Sequence, residues 1–350
     1  MHKRLKRLSD QVIVITGASS GNGLATAREA ARRGARVLLV ARNAAALDQV
    51  AADLRSQGAK VAVLAIDVAD QGSAERIAAA AIEAFGGFDT WVNCAAVTSY
   101  GTLEQLGLEE QRRILDVDYF AMVEGSLAAL KHLRTRGGGA IINLGSVLSD
   151  RALIKQPAYC AAKAAVRALT ENLRMDIERE GLPISVTLIK PSGIHTPFPE
   201  HGRNHMQAPP RIPQIIYGPE LVADAILFAA EHPRRQIYVG GYGFLLSLLA
   251  RLFPRTTDRI MELALVRTQQ APDHPGDPAM RDNLFEPRKD GQVEGTQPFA
   301  VKRWSLFLEA QKHPLAASLI LGAGAAAAGL WLQRRAPRGS IRRGTHSLST

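Results

Sequence analysis

Tyr159 and Lys163 stand four residues apart in the stretch S-V-L-S-D-R-A-L-I-K-Q-P-A-Y-C-A-A-K that runs from Ser146 to Lys163. On a helix that spacing brings both side chains out of one face, one turn from each other. A free phenol has a pKa of about 10, too high for easy proton transfer near neutrality. A neighbouring ammonium favours the phenolate and lowers that value, and Lys163 is placed to be that ammonium. Ser146 ends the run A-I-I-N-L-G, which reads as a strand. Its hydroxyl could hold a carbonyl or alcohol oxygen while Tyr159 gives or takes the proton. A lone Y-x-x-x-K is common on solvated helix faces, so the elements around it decide whether it does chemistry.

Those elements alternate. Val12–Thr16 is a β-branched run of the kind that forms a buried strand. T-G-A-S-S-G-N-G at 16–23 follows it and opens a helical pattern. Strand, glycine loop and helix is the arrangement in which backbone N–H groups meet a pyrophosphate, with Gly17, Gly21 and Gly23 allowing close approach. A second strand, Arg36–Ala41, ends at Arg42 and Asn43. An acidic residue there would hold the ribose of NAD; an arginine suits a 2′-phosphate, so NADP(H) is favoured over NAD(H). Further strands at Val61–Ile66, Thr90–Cys94, Ala140–Gly145, Ile184–Ile189 and Gln236–Val239 alternate with helices near 43–57, 73–85, 109–134 and 157–180 and one beginning near Pro219. This predicts an α/β fold, a doubly wound parallel sheet of about seven strands. Ligands of such sheets sit outside the carboxyl ends of the strands. The glycine loop, Arg42, Asp67, Asn93, Ser146 and Pro191 all fall there. Asp67 could accept from an adenine amino group or cap the next helix.

Over residues 9–240 the chain resembles the short-chain dehydrogenase/reductase family. T-G-A-S-S-G-N-G, Asp67-Val68, Asn93-Cys94-Ala95-Ala96, Ser146, Y-C-A-A-K at 159–163 and Pro191 with Thr196 carry the resemblance in order and spacing. It implies Tyr159 as general acid or base, Lys163 as the group that lowers its pKa and binds the nicotinamide ribose, and Ser146 as the group that orients the substrate oxygen. It also implies a cofactor site of Gly17, Ser19, Ser20, Gly21, Asn22, Gly23, Arg42, Asn43, Asp67, Val68, Asn93, Tyr159 and Lys163. Pro191, Ile194 and Thr196 would lie near the nicotinamide. The chain departs from the pattern at Asn22, Cys94, Ala96 and Ser192. Above all, Asp118 in L-D-V-D-Y-F stands where the family commonly has Asn in its catalytic set. An aspartate there favours a protonated Lys163 and bears on the proton relay. The alternative is a catalytically impaired NADP(H)-binding scaffold or sensor of the same fold.

The remaining sequence bounds the setting. The 350 residues are 46% apolar and 22% charged, an ordinary globular composition, with a net charge of +10 concentrated at the two ends. Met1–Gln11 is basic without an apolar stretch, and the two cysteines show no disulfide or metal spacing. His195, His201 and His205 lie on a proline-broken loop at 194–214, so no metal is assigned. Basic ends without interleaved aromatics favour lipid over nucleic acid. Residues 1–8 read as a basic segment, 9–242 as the catalytic domain and 243–270 as an apolar helical extension, packed on the core or lying in a membrane interface. Residues 271–311 read as an extended or poorly ordered linker, 312–335 as a membrane helix and 336–350 as a basic tail. Leu315–Leu332 carries no charge and reaches roughly 27 Å, just short of a hydrocarbon core of about 30 Å. The expected protein is a membrane-associated oxidoreductase with a cytoplasmic catalytic domain, a small carbonyl or alcohol substrate, and family-like homo-oligomers.

Overall fold

The computed structural model describes residues 5–212, 215–265, 268–271, 281–288, 291–319 and 322. Val12–Thr16 (β1), Arg36–Ala41 (β2), Val61–Ala65 (β3), Thr90–Asn93 (β4), Gly139–Leu144 (β5), Ile184–Pro191 (β6) and Gln236–Val239 (β7) form one sheet in the order β7-β6-β5-β4-β1-β2-β3. Every pairing in it is parallel. The chain winds outward from β1 in one direction and returns to β4 on its other side, so the crevice between β1 and β4 is the switch point at which such folds bind dinucleotides.

Helices cover both faces: Gly21–Arg32 (α1), Ala44–Ser56 (α2), Ser73–Phe85 (α3), Leu108–Leu115 (α4), Ala121–Arg136 (α5), Pro157–Arg179 (α6) and Pro219–Glu231 (α7). The interior strands are apolar on both sides because both sides are buried, while the edge strand β3 is only partly covered. Ile13, Ile15, Val37 and Leu39 pack with α1, α2 and α7, while Val12, Val14, Leu38 and Val40 pack with α3, α5 and α6. The single helix expected near 109–134 is interrupted: Asp116–Phe120 forms a wide π turn between α4 and α5. That turn places Asp118 in the interior, fully buried, and π turns of this kind are frequent at functional sites.

Beyond β7 come Gly241–Leu252 (α8) and Pro254–Ile260 (α9). α8 packs on the core, as one of the two readings of its sequence expects. It packs through the small residues Gly243, Ser247 and Ala250, and leaves Leu245, Leu248, Leu249 and Leu252 exposed in a stripe on the opposite side. The expected linker at 271–311 needs correction. Residues 272–280, 289 and 290 lie outside the described residues, but the flanking segments return to the catalytic body, which extends as one unit to Leu308. Val301–Lys302 pairs in parallel with Ile216–Tyr217. The return is held by side chains and backbone of the dinucleotide crevice rather than by a periodic apolar face, which is why composition alone made it look loose. The membrane helix expected at 312–335 falls mostly outside the described residues, as does the basic tail. Among the described residues no helix is long and apolar enough to cross a membrane.

Candidate active site

The carboxyl ends of the strands enclose a cavity of about 280 Å³. From the tips of β1, β2 and β3 it receives Gly17, Ser19, Ser20, Gly21, Asn22, Gly23, Arg42, Asn43, Asp67 and Val68. From the tips of β5 and β6 and from α6 it receives Ser146, Tyr159, Lys163, Pro191, Ile194 and Thr196. The glycine loop is shaped for close approach. Gly17 has a φ of 69°, and a Cβ there would lie 2.8 Å from the Ala95 Cα. A Cβ on Gly23 would lie 2.1 Å from the Gly17 carbonyl oxygen. The loop therefore folds tightly onto the first turn of α1, whose N-terminus points into the cavity and favours an anion. These residues fit a dinucleotide.

The proton-handling groups converge. Ser146 takes an extended conformation at the end of β5, and its Oγ accepts from the Leu148 N–H at 3.1 Å. Its hydroxyl lies near enough to the Tyr159 phenol to favour the phenolate. Pro157 opens α6, where its missing N–H costs nothing, and the helix then sets Tyr159 and Lys163 on one face. The Lys163 Nζ lies 5.4 Å from the centre of the Tyr159 ring and donates to the Leu144 carbonyl at 3.3 Å. It also lies 3.3 Å from Asp118 Oδ2, with both side chains buried. The other Asp118 oxygen accepts from the Val97 N–H at 2.8 Å.

This arrangement changes the electrostatics expected from the sequence. Burial raises the Asp118 pKa above the ordinary carboxylate value, against the opposing pull of Lys163. The Tyr159 phenol stands well above its ordinary value, not below it: burial is the main cause, and the Asp118 charge adds to it, while Ser146 opposes. The lowering expected from Lys163 is therefore opposed first by burial and then by the Asp118 charge. Burial also pushes the Cys94 thiol up to about 12, so it is no nucleophile at neutral pH.

Two of the expected site residues lie outside the cavity lining. Asn93 does not line the cavity. Its amide accepts from the Trp91 indole at 2.7 Å and donates to Asn143 at 2.8 Å and Ser126 at 3.1 Å, tying β4 to β5 and α5. Asp118 stands behind Lys163, outside the cavity lining. Asp67 uses both oxygens on protein partners, the Ala69 N–H at 3.0 Å and the Arg113 guanidinium. The loop histidines go separate ways. His195 Nε2 meets the Gln297 carbonyl at 3.0 Å and His205 Nε2 meets Glu110 at 2.9 Å. His201 lines the cavity with a pKa pushed down to about 3 by burial, and so is neutral.

The returning C-terminal segment is the part of the site that sequence reasoning missed. Arg42 donates to the carbonyls of Asn283, Leu284 and Phe285. The Gly21 N–H donates to the Gln292 carbonyl at 2.9 Å, and the Gly291 N–H to the Ser19 carbonyl at 2.8 Å. Asn43 caps α2 through Ala46 and donates to the Arg288 carbonyl at 2.7 Å. A strap thus crosses the glycine loop and the β2 tip. Most of these contacts are made by strap carbonyls, which any residue carries, so no sequence signal could have announced them.

Residues 11–207 match the family profile described as short chain dehydrogenase. The chain belongs to the short-chain dehydrogenase family. It is an oxidoreductase acting on CH–OH groups. It is 42% identical over 320 residues to an uncharacterized oxidoreductase, YxnA, of Bacillus subtilis, a match covering 91% of this chain and 90% of that protein. The likeness therefore extends past the family core into the C-terminal extension. A 2-(R)-hydroxypropyl-CoM dehydrogenase of Xanthobacter autotrophicus is 34% identical over 229 residues, covering 63% of this chain and 91% of that one. Among solved structures, the L-sorbose reductase of Gluconobacter frateurii in complex with NADPH and L-sorbose superimposes with a TM-score of 0.59 at 26% identity, covering 69% of this chain and 98% of that one. Within this dehydrogenase, the family core supplies the glycine loop and the Ser146, Tyr159 and Lys163 group. The strap lies beyond the matched profile.

Proposed function

We propose that this dehydrogenase interconverts an alcohol and a ketone or aldehyde with NADP(H), with Tyr159 as the general acid and base. The observation that carries this is the convergence of Ser146, Tyr159 and Lys163 on the cavity that the glycine loop closes. A bound nicotinamide supplies the hydride acceptor or donor. The chain's own residues do the rest. Ser146 holds the substrate oxygen beside the Tyr159 phenol, and the phenol delivers a proton to that oxygen in reduction or removes it in oxidation. Lys163 lies beside the phenol with its charge compensated by Asp118. The buried setting keeps water from the reacting carbon. NADPH consumption over a panel of ketones and aldehydes tests this; binding of NADPH with no turnover of any member would favour the scaffold reading instead.

The preference for NADP(H) rests on Arg42 at the tip of β2, where a 2′-phosphate would meet a guanidinium already oriented by the carbonyls of the strap. Arg42→Asp is expected to weaken NADPH binding by roughly 100-fold, about 2.7 kcal/mol, while NADH changes little. Titration of both cofactors by fluorescence checks it, and an unchanged ratio of the two affinities would remove Arg42 from that role. Membrane association is proposed on two features: the uncharged stretch at 315–332, and the exposed leucine stripe of α8, beside which Arg251, Arg255 and Arg259 lie at the surface.

A further inference from the structure

Gln269 is 1% exposed and lines the same cavity as Tyr159. Among the described residues, neither its amide oxygen nor its amide nitrogen has a hydrogen-bond partner. Buried amides are rarely left so, since each unmade bond forfeits the water it replaced. The residue is not loosely placed. The Arg211 N–H donates to the Gln269 carbonyl at 2.7 Å and the Ala271 N–H to the Pro209 carbonyl at 3.0 Å. Pro210 and Gln270 form an antiparallel bridge between them. Gln297 donates to the Pro210 carbonyl at 2.6 Å and fixes the other side of the same loop.

The location is on the substrate side. Gln269 is tied to the loop that follows β6, whereas the adenosine end is marked by Arg42 and Asp67 at the tips of β2 and β3. Around it the cavity wall is mixed. Tyr242 and Leu246 enter from the inner side of α8, and Arg211 from the loop. The Arg211 guanidinium lies 5.3 Å from the centre of the Phe299 ring, and among the described residues no carboxylate pairs with it. Such a wall is mixed, with one buried, unpaired amide and, at its exposed rim, an arginine.

We propose that Gln269 is a specificity-determining residue that binds a second oxygen function of the substrate, a hydroxyl or carboxylate remote from the reacting carbon. The amide can donate to either group and can also accept from a hydroxyl. Arg211 adds a charged donor that serves a carboxylate. A site built to hydrogen-bond such a group rejects the analogue without it, because the amide is then left unpaired. The C-terminal extension thus selects substrates for a catalytic group that lies in the family core.

This inference rests on the proposed oxidoreduction, and its test separates the two. The full chain is assayed with NADPH on a graded series of methyl ketones and on the same ketones carrying a terminal hydroxyl or a terminal carboxylate. No turnover of any series would overturn the oxidoreductase proposal itself. Given turnover, the wild type is expected to prefer at least one oxygenated series over the hydrocarbon series by about 100-fold in kcat/KM, mainly through KM. Gln269→Met, of similar length and without polar atoms, is expected to abolish that preference while turning over the hydrocarbon ketones as well as the wild type or better. A selective loss on carboxylated ketones in Arg211→Met assigns the charged tail; hydroxylated ketones affected by Gln269→Met alone assign the neutral one. A wild type indifferent to the tail, or a preference that survives Gln269→Met, overturns the role of Gln269.

Discussion

Tyr159→Phe is expected to lower kcat/KM for every substrate of this dehydrogenase by about 1,000-fold, within the span by which a positioned general acid or base accelerates proton transfer. NADPH affinity should stay within about threefold, since the ring and its contact with Phe198 at 5.4 Å survive the change. Steady-state rates and a binding titration on the same preparation separate the two quantities. Equal rates for wild type and variant would leave the fold with a cofactor site and no chemistry at Tyr159. The direction of the phenol's shift adds a second signature. Burial and Asp118 place its pKa well above the ordinary value, so at neutral pH it carries its proton. That is the form reduction needs, and reduction should be insensitive to pH near neutrality. Oxidation needs the phenolate and should rise with pH through the alkaline range. Phe at position 159 should flatten this rise, because the group that titrates is gone.

The raised phenol also shows how far the sequence could be read. The strand bounds emerged from short apolar runs, because β1, β2, β4, β5 and β6 are buried on both faces, and the helix bounds from the period of apolar residues. The convergence of Ser146, Tyr159 and Lys163 followed from those bounds, since each residue sits at a fixed distance from a strand end. The resemblance already set Asp118 beside Lys163; what could not be read was the local geometry that buries the pair at 3.3 Å. Asp118 is distant from Lys163 in sequence and reaches it only because Asp116–Phe120 widens into a π turn. Helical periodicity averages over such a turn. Asn93 illustrates the reverse case: its position at a strand's end was right, but its amide is consumed by Trp91, Ser126 and Asn143. The strap escaped because its contacts to Arg42, Asn43 and Gly21 are made by backbone carbonyls, present at every residue, and its side-chain anchors, Asp282 to Arg203 and the buried Leu284, follow no periodic pattern.

The Asp118–Lys163 pair carries the second large effect. Lys163→Met removes the ammonium that lies 3.3 Å from a carboxylate with no exposed surface. Losing one partner of a buried ion pair typically costs about 3–5 kcal/mol, because the other charge is stranded. For a chain of this size that corresponds to a fall in Tm of roughly 5 °C. The loss has a pH dependence of known sign. Burial already raises the Asp118 pKa and Lys163 opposes the rise, so without Lys163 it goes higher still. A carboxyl whose folded pKa exceeds its unfolded value binds its proton more tightly in the folded state. Its stabilising contribution is therefore present in acid and is lost as pH climbs from the ordinary carboxylate value of about 4 through the raised one. The gap in Tm between wild type and Lys163→Met should be small near about pH 5 and widen toward about pH 8. Adding Asp118→Asn to Lys163→Met removes the stranded charge and should close most of that gap, although activity stays lost because Tyr159 has no cationic neighbour. Thermal melts of the three proteins across this range decide the matter. Parallel curves, or a double variant no more stable than Lys163→Met, would mean that the carboxylate and the amine are not energetically coupled, and Asp118 would then have to owe its place to the Val97 N–H alone.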